Sequence, residues 1–270
     1  MGPAFGRNRR DILCGFLACI LSSFGCGGGP AGIRLIIENT ITDVTILGDG
    51  TARGDIREIS TLDVVSPQEV SVSAGFGDGD EIADQAVISS ESGQLIVDLR
   101  GVGDRLDRGF RFAMAVRAPR RVRIERVDSV TLRMQSRGAG IKGIDLSSTR
   151  IRLEKPRSTD AELQIQANDS AVDGRLVLHR LELDAVNSEL IIRGLSDFFS
   201  LYMSTGTLSS RGAVGGRQET IVDGIDSDIR GICAPGNLIV RAREGTSVSL
   251  DPSCSPDNSS VDADATSRIQ

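Results

Sequence analysis

From Val122 onward the chain alternates apolar and polar residues in short runs, and each run breaks at a polar or glycine corner. The clearest copies are VRIERVDSVTLRM from Val122, LELDAVNSELIIRG from Leu181 and TIVDGIDSDIRG from Thr220, each a strand, a two-residue corner and a second strand. Their corners are Asp128-Ser129, Asn187-Ser188 and Asp226-Ser227, with fainter versions at Ser148-Thr149, Asp169-Ser170, Gly206-Thr207 and Gly245-Thr246. These begin at 128, 148, 169, 187, 206, 226 and 245, so the spacings are 20, 21, 18, 19, 20 and 19. A period near 20 without helical patterning predicts an all-β fold, a single-stranded β-solenoid of the parallel β-helix type. Each coil then buries its apolar side only by stacking on its neighbours. Alternation places Val122, Ile124, Leu181, Leu183, Ile191, Leu238 and Val240 inside. A stack of antiparallel hairpins, or a sandwich with turns at similar spacing, is the competing arrangement.

Residues 33–121 repeat less clearly. β runs lie at Arg34–Glu38, Val44–Leu47, Val70–Ala74, Ala86–Ser89, Leu95–Leu99 and Phe110–Arg117, with longer loops at Gly75–Asp84 and Gly101–Gly109. The expectation is irregular coils that merge into the array, with a sandwich-like cap as the alternative. Residues 122–254 form the regular solenoid, and 255–270, polar and without strand pattern, read as a disordered tail.

The first 26 residues read as an address. Arg7, Arg9 and Arg10 precede the uncharged, mostly apolar run Ile12 to Phe24, and small residues follow. This is the order of a secretory signal peptide, and the run is shorter than the ~20 residues that span a bilayer. Cys26 after Gly25 resembles a bacterial lipoprotein cleavage site, where the new N-terminal cysteine is acylated. The fit departs at Ser23 and Phe24, where that pattern prefers Leu and a small residue. The glycine-rich stretch 27–32 would serve as a tether. An ordinary cleaved signal and an uncleaved anchor are the alternatives. Cys14 and Cys19 lie within the apolar run, and export makes a disulfide between Cys233 and Cys254 the natural use of the two cysteines after Cys26, 21 residues or about one coil apart.

Composition narrows the function classes. The 270 residues include no Trp, one Tyr and one His, and the charge is −6. Without residues 1–26 there are 28 basic and 36 acidic residues, a balance of −8. Arg117, Arg120, Arg121, Arg123 and Arg126 cluster in a strand pattern without aromatic partners, so a nucleic-acid groove is not expected.

The segments RLIIENTITDVTILGD from Arg34, VSVSA from Val70, SGQLIVDLR from Ser92 and FRFAMAVRAPRRVRIERVDSVTLRM from Phe110, with the ladder after them, carry a resemblance. Over residues 33–250 their order resembles the bacterial putative adhesin families, including the putative auto-transporter adhesin, head GIN domain. The corners depart from that group, whose corners favour Ser-Gly-Ala-Ser-like clusters. The resemblance implies a β-solenoid on an exported or anchored protein.

Candidate chemistry is sparse. His179, in VLHRLEL, is the only histidine and reads as one strand side chain among several. A nucleophile activated by a histidine base needs more than that, so no catalytic residue is assigned. Asp78, Asp80 and Glu81 in GFGDGDEIAD resemble a short Ca²⁺ loop but lack the twelve-residue spacing of an EF-hand, and a flexible acidic turn is the plainer reading. No cofactor or structural metal is expected. The sequence thus predicts a non-enzymatic protein of the bacterial cell envelope, anchored to the membrane through lipid on Cys26. It would offer strand faces to an envelope protein or glycan. A polysaccharide lyase or hydrolase and an envelope element that self-associates end to end are the alternatives.

Overall fold

The computed structural model describes residues 32–37, 43–59, 70–76, 87–91, 94–101, 109–115, 121–134, 141–154, 161–210 and 212–270. The signal segment with Cys26, residues 27–31 of the tether and the acidic loop with Asp78, Asp80 and Glu81 lie outside these residues, whereas Gly32, read as the end of the tether, is the first residue of a strand.

The described chain is entirely β. Its N-terminal strands are β1 (Gly32–Ile37), β2 (Asp43–Leu47), β3 (Arg53–Ile59), β4 (Val70–Phe76), β5 (Val87–Glu91), β6 (Gln94–Asp98) and β7 (Phe110–Ala115). The regular part begins with β8 (Arg121–Glu125), β9 (Ser129–Arg133), β10 (Gly143–Ser147), β11 (Arg150–Glu154), β12 (Glu162–Asn168), β13 (Ala171–Arg175) and β14 (Arg180–Val186). It continues through two long strands that bend around corners, β15 (Glu189–Ser209) and β16 (Val214–Ile232). It ends with β17 (Asn237–Arg243), β18 (Ser247–Leu250), β19 (Asn258–Ala263) and β20 (Arg268–Ile269).

These strands stack in parallel as a solenoid. The first face runs β6, β2, β8, β10, β12, β14, the second half of β15, the middle of β16, β17 and β19. The second face begins β7, β3, β9, β11, β13 and the start of β15, and ends with the end of β16, β18 and β20. From β8 on, first-face partners are offset by 22, 21, 18, 18, 21, 18 and 21 residues. The unevenness lies mainly along the third side, the connections that lead from each second-face strand back to the first face, with one residue added at the Glu244 corner, so the period of 20 read from the sequence is their average.

Inward positions form continuous apolar columns. Val122, Ile144, Ile165, Leu183, Leu201, Val222 and Val240 stack coil on coil, all buried. Ile191, expected inside, faces outward, because its neighbours Leu190 and Ile192 take the inward positions after the Asn187 corner.

The corner between the two faces is a ladder of left-handed residues. Arg126, Ser148, Asp169, Asn187, Thr205, Asp226 and Glu244 all have φ between 47° and 55°. Four of them are the first residues of corners read from the sequence; at Asp128, Gly206 and Gly245 the turn falls one or two residues earlier. The next residue in several coils is a buried hydroxyl: Thr149, Ser170, Ser188 and Ser227. Each donates to the carbonyl two residues back in its own coil. The Thr149 N–H in turn donates to Ser170 Oγ and the Ser170 N–H to Ser188 Oγ. Gly206 interrupts the ladder, because a Cβ there would lie 2.5 Å from the Ser188 carbonyl oxygen.

Three further features differ from expectation. The N-terminal coils are irregular as expected, but they stack out of chain order: β2 sits between β6 and β8. The antiparallel strands β5 and β4 pair with β6 and β7 at that end, and β1 pairs with β4. The segment 255–270, expected to be disordered, instead supplies β19 and β20. Its polar composition is compatible with this, because the outermost coil takes its backbone hydrogen bonds from the coil beneath and has no second layer to cover.

Candidate functional site

Outward side chains on the first face form rows that the parallel register fixes. One row runs Arg123, Asp145, Gln166, Asp184, Tyr202, Asp223, Arg241 and Asp262. Charges of opposite sign stand side by side along parts of it. Asp145 lies 3.8 Å from Arg123, and Asp223 lies 3.2 Å from Arg241. Around Tyr202 the character changes. The next strand places Ile221 and Ile225 diagonally beside it, the previous strand places Val186, and Ile239 follows Ile221. Tyr202 and Val186 are each 41% exposed, on a sheet face whose neighbouring coils hold Asp184 and Asp223 in the places equivalent to Tyr202, and Asn168 and Ser204 in those equivalent to Val186.

His179 stands just before β14, at the other end of the same strands. Its Nδ1 is 3.1 Å from Asp197 Oδ2, and Arg217 approaches the other Asp197 oxygen at 3.6 Å. The Phe198 ring meets the imidazole edge-on at 5.3 Å, and the Arg180 guanidinium lies 5.1 Å from the centre of the same ring. His179 thus shares one carboxylate with an arginine. Among the described residues, no hydroxyl or thiol is hydrogen-bonded to its ring. The sequence singled out His179 but not Asp197, because the two are brought together by an 18-residue coil rather than by any local motif.

The second face is different. One outward row reads Arg57, Arg133, Glu154, Arg175 and Arg193, strand by strand from β3 to β15. The adjacent row reads Asp55, Thr131, Arg152, Asp173 and Ile191. Arg133 contacts Glu154 at 3.2 Å and Asp55 at 3.9 Å, and Arg152 lies 3.8 Å from Glu154. Arg57, Arg150, Arg175 and Arg193 make no ion pair among the described residues.

Cys233 and Cys254 are joined on the third side, with their Cα atoms 5.2 Å apart. The bond ties the last coil to the one before it. At the last corner, hydrogen bonds from Ser267, the Glu244 N–H and Thr266 hold the Asp264 carboxyl well below the usual carboxylate range. No group of three or more His, Cys, Asp or Glu that could hold a metal occurs among the described residues.

No family model matches the chain, and no curated protein matches it in sequence. Solved structures do. A putative adhesin from Bacteroides fragilis is 12% identical, with 91% of this chain and 99% of that one covered and a TM-score of 0.39. A putative lipid binding protein from Parabacteroides distasonis is 12% identical, with 90% and 98% covered and a TM-score of 0.43. A putative adhesin from Parabacteroides merdae is also 12% identical, with 90% and 97% covered and a TM-score of 0.43.

Proposed function

We propose that the chain is an exported, non-enzymatic envelope scaffold, lipid-anchored through Cys26, whose first face binds a protein or glycan partner. The observation that carries this is the Tyr202 patch. The fold requires apolar residues only on the inner side of each strand. Here Val186, Ile221 and Ile225 stand diagonally beside the chain's one tyrosine on the outer side, with Ile239 one strand further on and Asp184 and Asp223 directly beside the ring. An exposed aromatic with a polar tip, aliphatic side chains at its corners and carboxylates beside it combines the apolar and polar contacts that binding surfaces use. The signal-like segment and the glycine-rich stretch after Cys26 support a tethered presentation of that face.

Capture from envelope extracts with the wild-type chain and with Tyr202→Ala/Ile239→Ser tests the reading. A partner identified by mass spectrometry with the first and lost with the second is expected. Equal recovery by both would remove the patch from the function, and release of reducing ends from a polysaccharide by the purified chain would end the non-enzymatic reading. The anchor is tested separately, since Cys26→Ser should move the protein out of the membrane fraction.

A further inference from the structure

We propose that the outward face of β3, β9, β11, β13 and β15 binds an extended acidic polysaccharide laid along the stack. The surface is independent of the Tyr202 patch. The outer positions of these five strands, from Arg53 through Arg193, hold Arg53, Arg57, Arg133, Arg150, Arg152, Arg175 and Arg193 against Asp55, Glu154, Asp173 and Glu189. With Asp128, the corner residue that pairs with Arg53 at 2.6 Å, counted as a fifth acid, that is a local excess of two positive charges on a chain whose total is −6.

The arrangement works against folding. Arg57 stands directly beside Arg133, and Arg175 directly beside Arg193, in the parallel ladder. Like charges abreast on neighbouring strands destabilise a sheet. The first face of the same solenoid avoids this by placing Asp145 beside Arg123 and Asp223 beside Arg241. Arg133 already contacts Glu154 and Asp55, whereas Arg57, Arg175 and Arg193 make no ion pair among the described residues, so a ligand that brings negative charge to these three relieves the contacts and the pattern is complementary to a polyanion.

The geometry selects an extended one. Strands repeat at about 4.8 Å, so the row from Arg57 to Arg193 spans roughly 19 Å in a straight line. Guanidinium forks take carboxylates and sulfates in two parallel hydrogen bonds. No aromatic stands in either described row, so stacking of nucleic-acid bases finds no platform there. In the two described rows the one apolar side chain is Ile191, which is half-buried, so no apolar wedge stands out from them, which separates this face from one built to enter a lipid surface.

The test uses the detergent-solubilised full-length chain, with dextran sulfate and polygalacturonate as probes and neutral dextran as the control. The expected result is saturable binding to the charged polymers that weakens steeply with salt. Arg57→Gln/Arg175→Gln should weaken it about tenfold or more, while leaving the melting temperature unchanged or higher because like-charge contacts are removed. Arg230→Gln, on the same side of the stack beyond the ladder and paired with Asp228, should bind as wild type. Wild-type affinity in the double variant would overturn the proposal, as would a lowered melting temperature with binding retained, which assigns the ladder to folding. Tighter binding to phosphatidylglycerol vesicles or to single-stranded oligo-dT than to either polysaccharide would overturn it too, in favour of a membrane or a nucleic acid.

Discussion

A single backbone position recurs through this molecule and sets what each coil can contain. The corner residue must adopt a left-handed φ, which costs an ordinary L-residue ~1–2 kcal/mol and is easiest for Asn, Asp or Gly. Asn187, Asp169 and Asp226 meet that demand, and they are the corners the sequence displays. Arg126, Thr205 and Glu244 occupy the same conformation with side chains that do not favour it, which is why the sequence misplaced those turns by one or two residues. Thr205 is the most strained of the set, because a β-branched side chain at φ 53° is crowded against its own backbone. Thr205→Asn is therefore expected to stabilise the protein by ~0.5–1 kcal/mol, and Asn187→Thr to destabilise it by about the same amount or more. Asn187 also loses its hydrogen bond to Asp169 in that exchange. Urea melts of the two variants would check the pair; equal effects of the same sign would show that the corner conformation is not what the residue type serves.

Among the elements, sequence patterning was informative wherever one face of a strand is apolar and the other polar. β8, β12, β14 and β17 alternate cleanly and bury the residues that alternation selects. β3 escaped notice because RGDIREI offers Ile56 alone as a clear inward apolar residue in its first five positions, where Gly54 takes the other inward place against Phe110. β19 escaped for a related reason. All six of its residues are exposed, so it lacks the alternation that burial imposes, and its pairing with β17 is made by backbone. What holds such a strand is the coil below it, the Asp264 corner and the disulfide. Closing a loop of about 20 residues is worth roughly 3 kcal/mol by the chain-entropy argument. Cys233→Ser should therefore lower the melting temperature under oxidising conditions, and hydrogen exchange should quicken first in 258–269. A melting temperature equal to that of the wild type, with protection at β19 intact, would show that backbone pairing holds the last coil without the bond.

At the scale of the whole molecule, stability in a solenoid is a sum over neighbouring coils, so position along the axis decides what a substitution costs. The coil order of the N-terminal region was not legible, because β2 enters between β6 and β8 and chain order gives no hint of that insertion. The regular part could be read because each coil repeats the one before it. Leu201 and Val261 make the contrast testable. Both sit in the inward rows of the first face, but Leu201 lies between Leu183 and Val222 and is fully buried, whereas Val261 lies on the outermost coil and is 53% exposed. Leu201→Ala leaves a cavity with packed coils on both sides and should cost ~2–5 kcal/mol, since neither neighbour can close it without breaking its own register. Val261→Ala removes atoms that mostly face water and should cost within ~0.5 kcal/mol. Because coils couple only to their neighbours, the Leu201 cavity should also make urea unfolding less cooperative, with the coils on either side of it separating into two transitions by circular dichroism. A single shifted transition would mean that coupling along the axis is stronger than one interface can break.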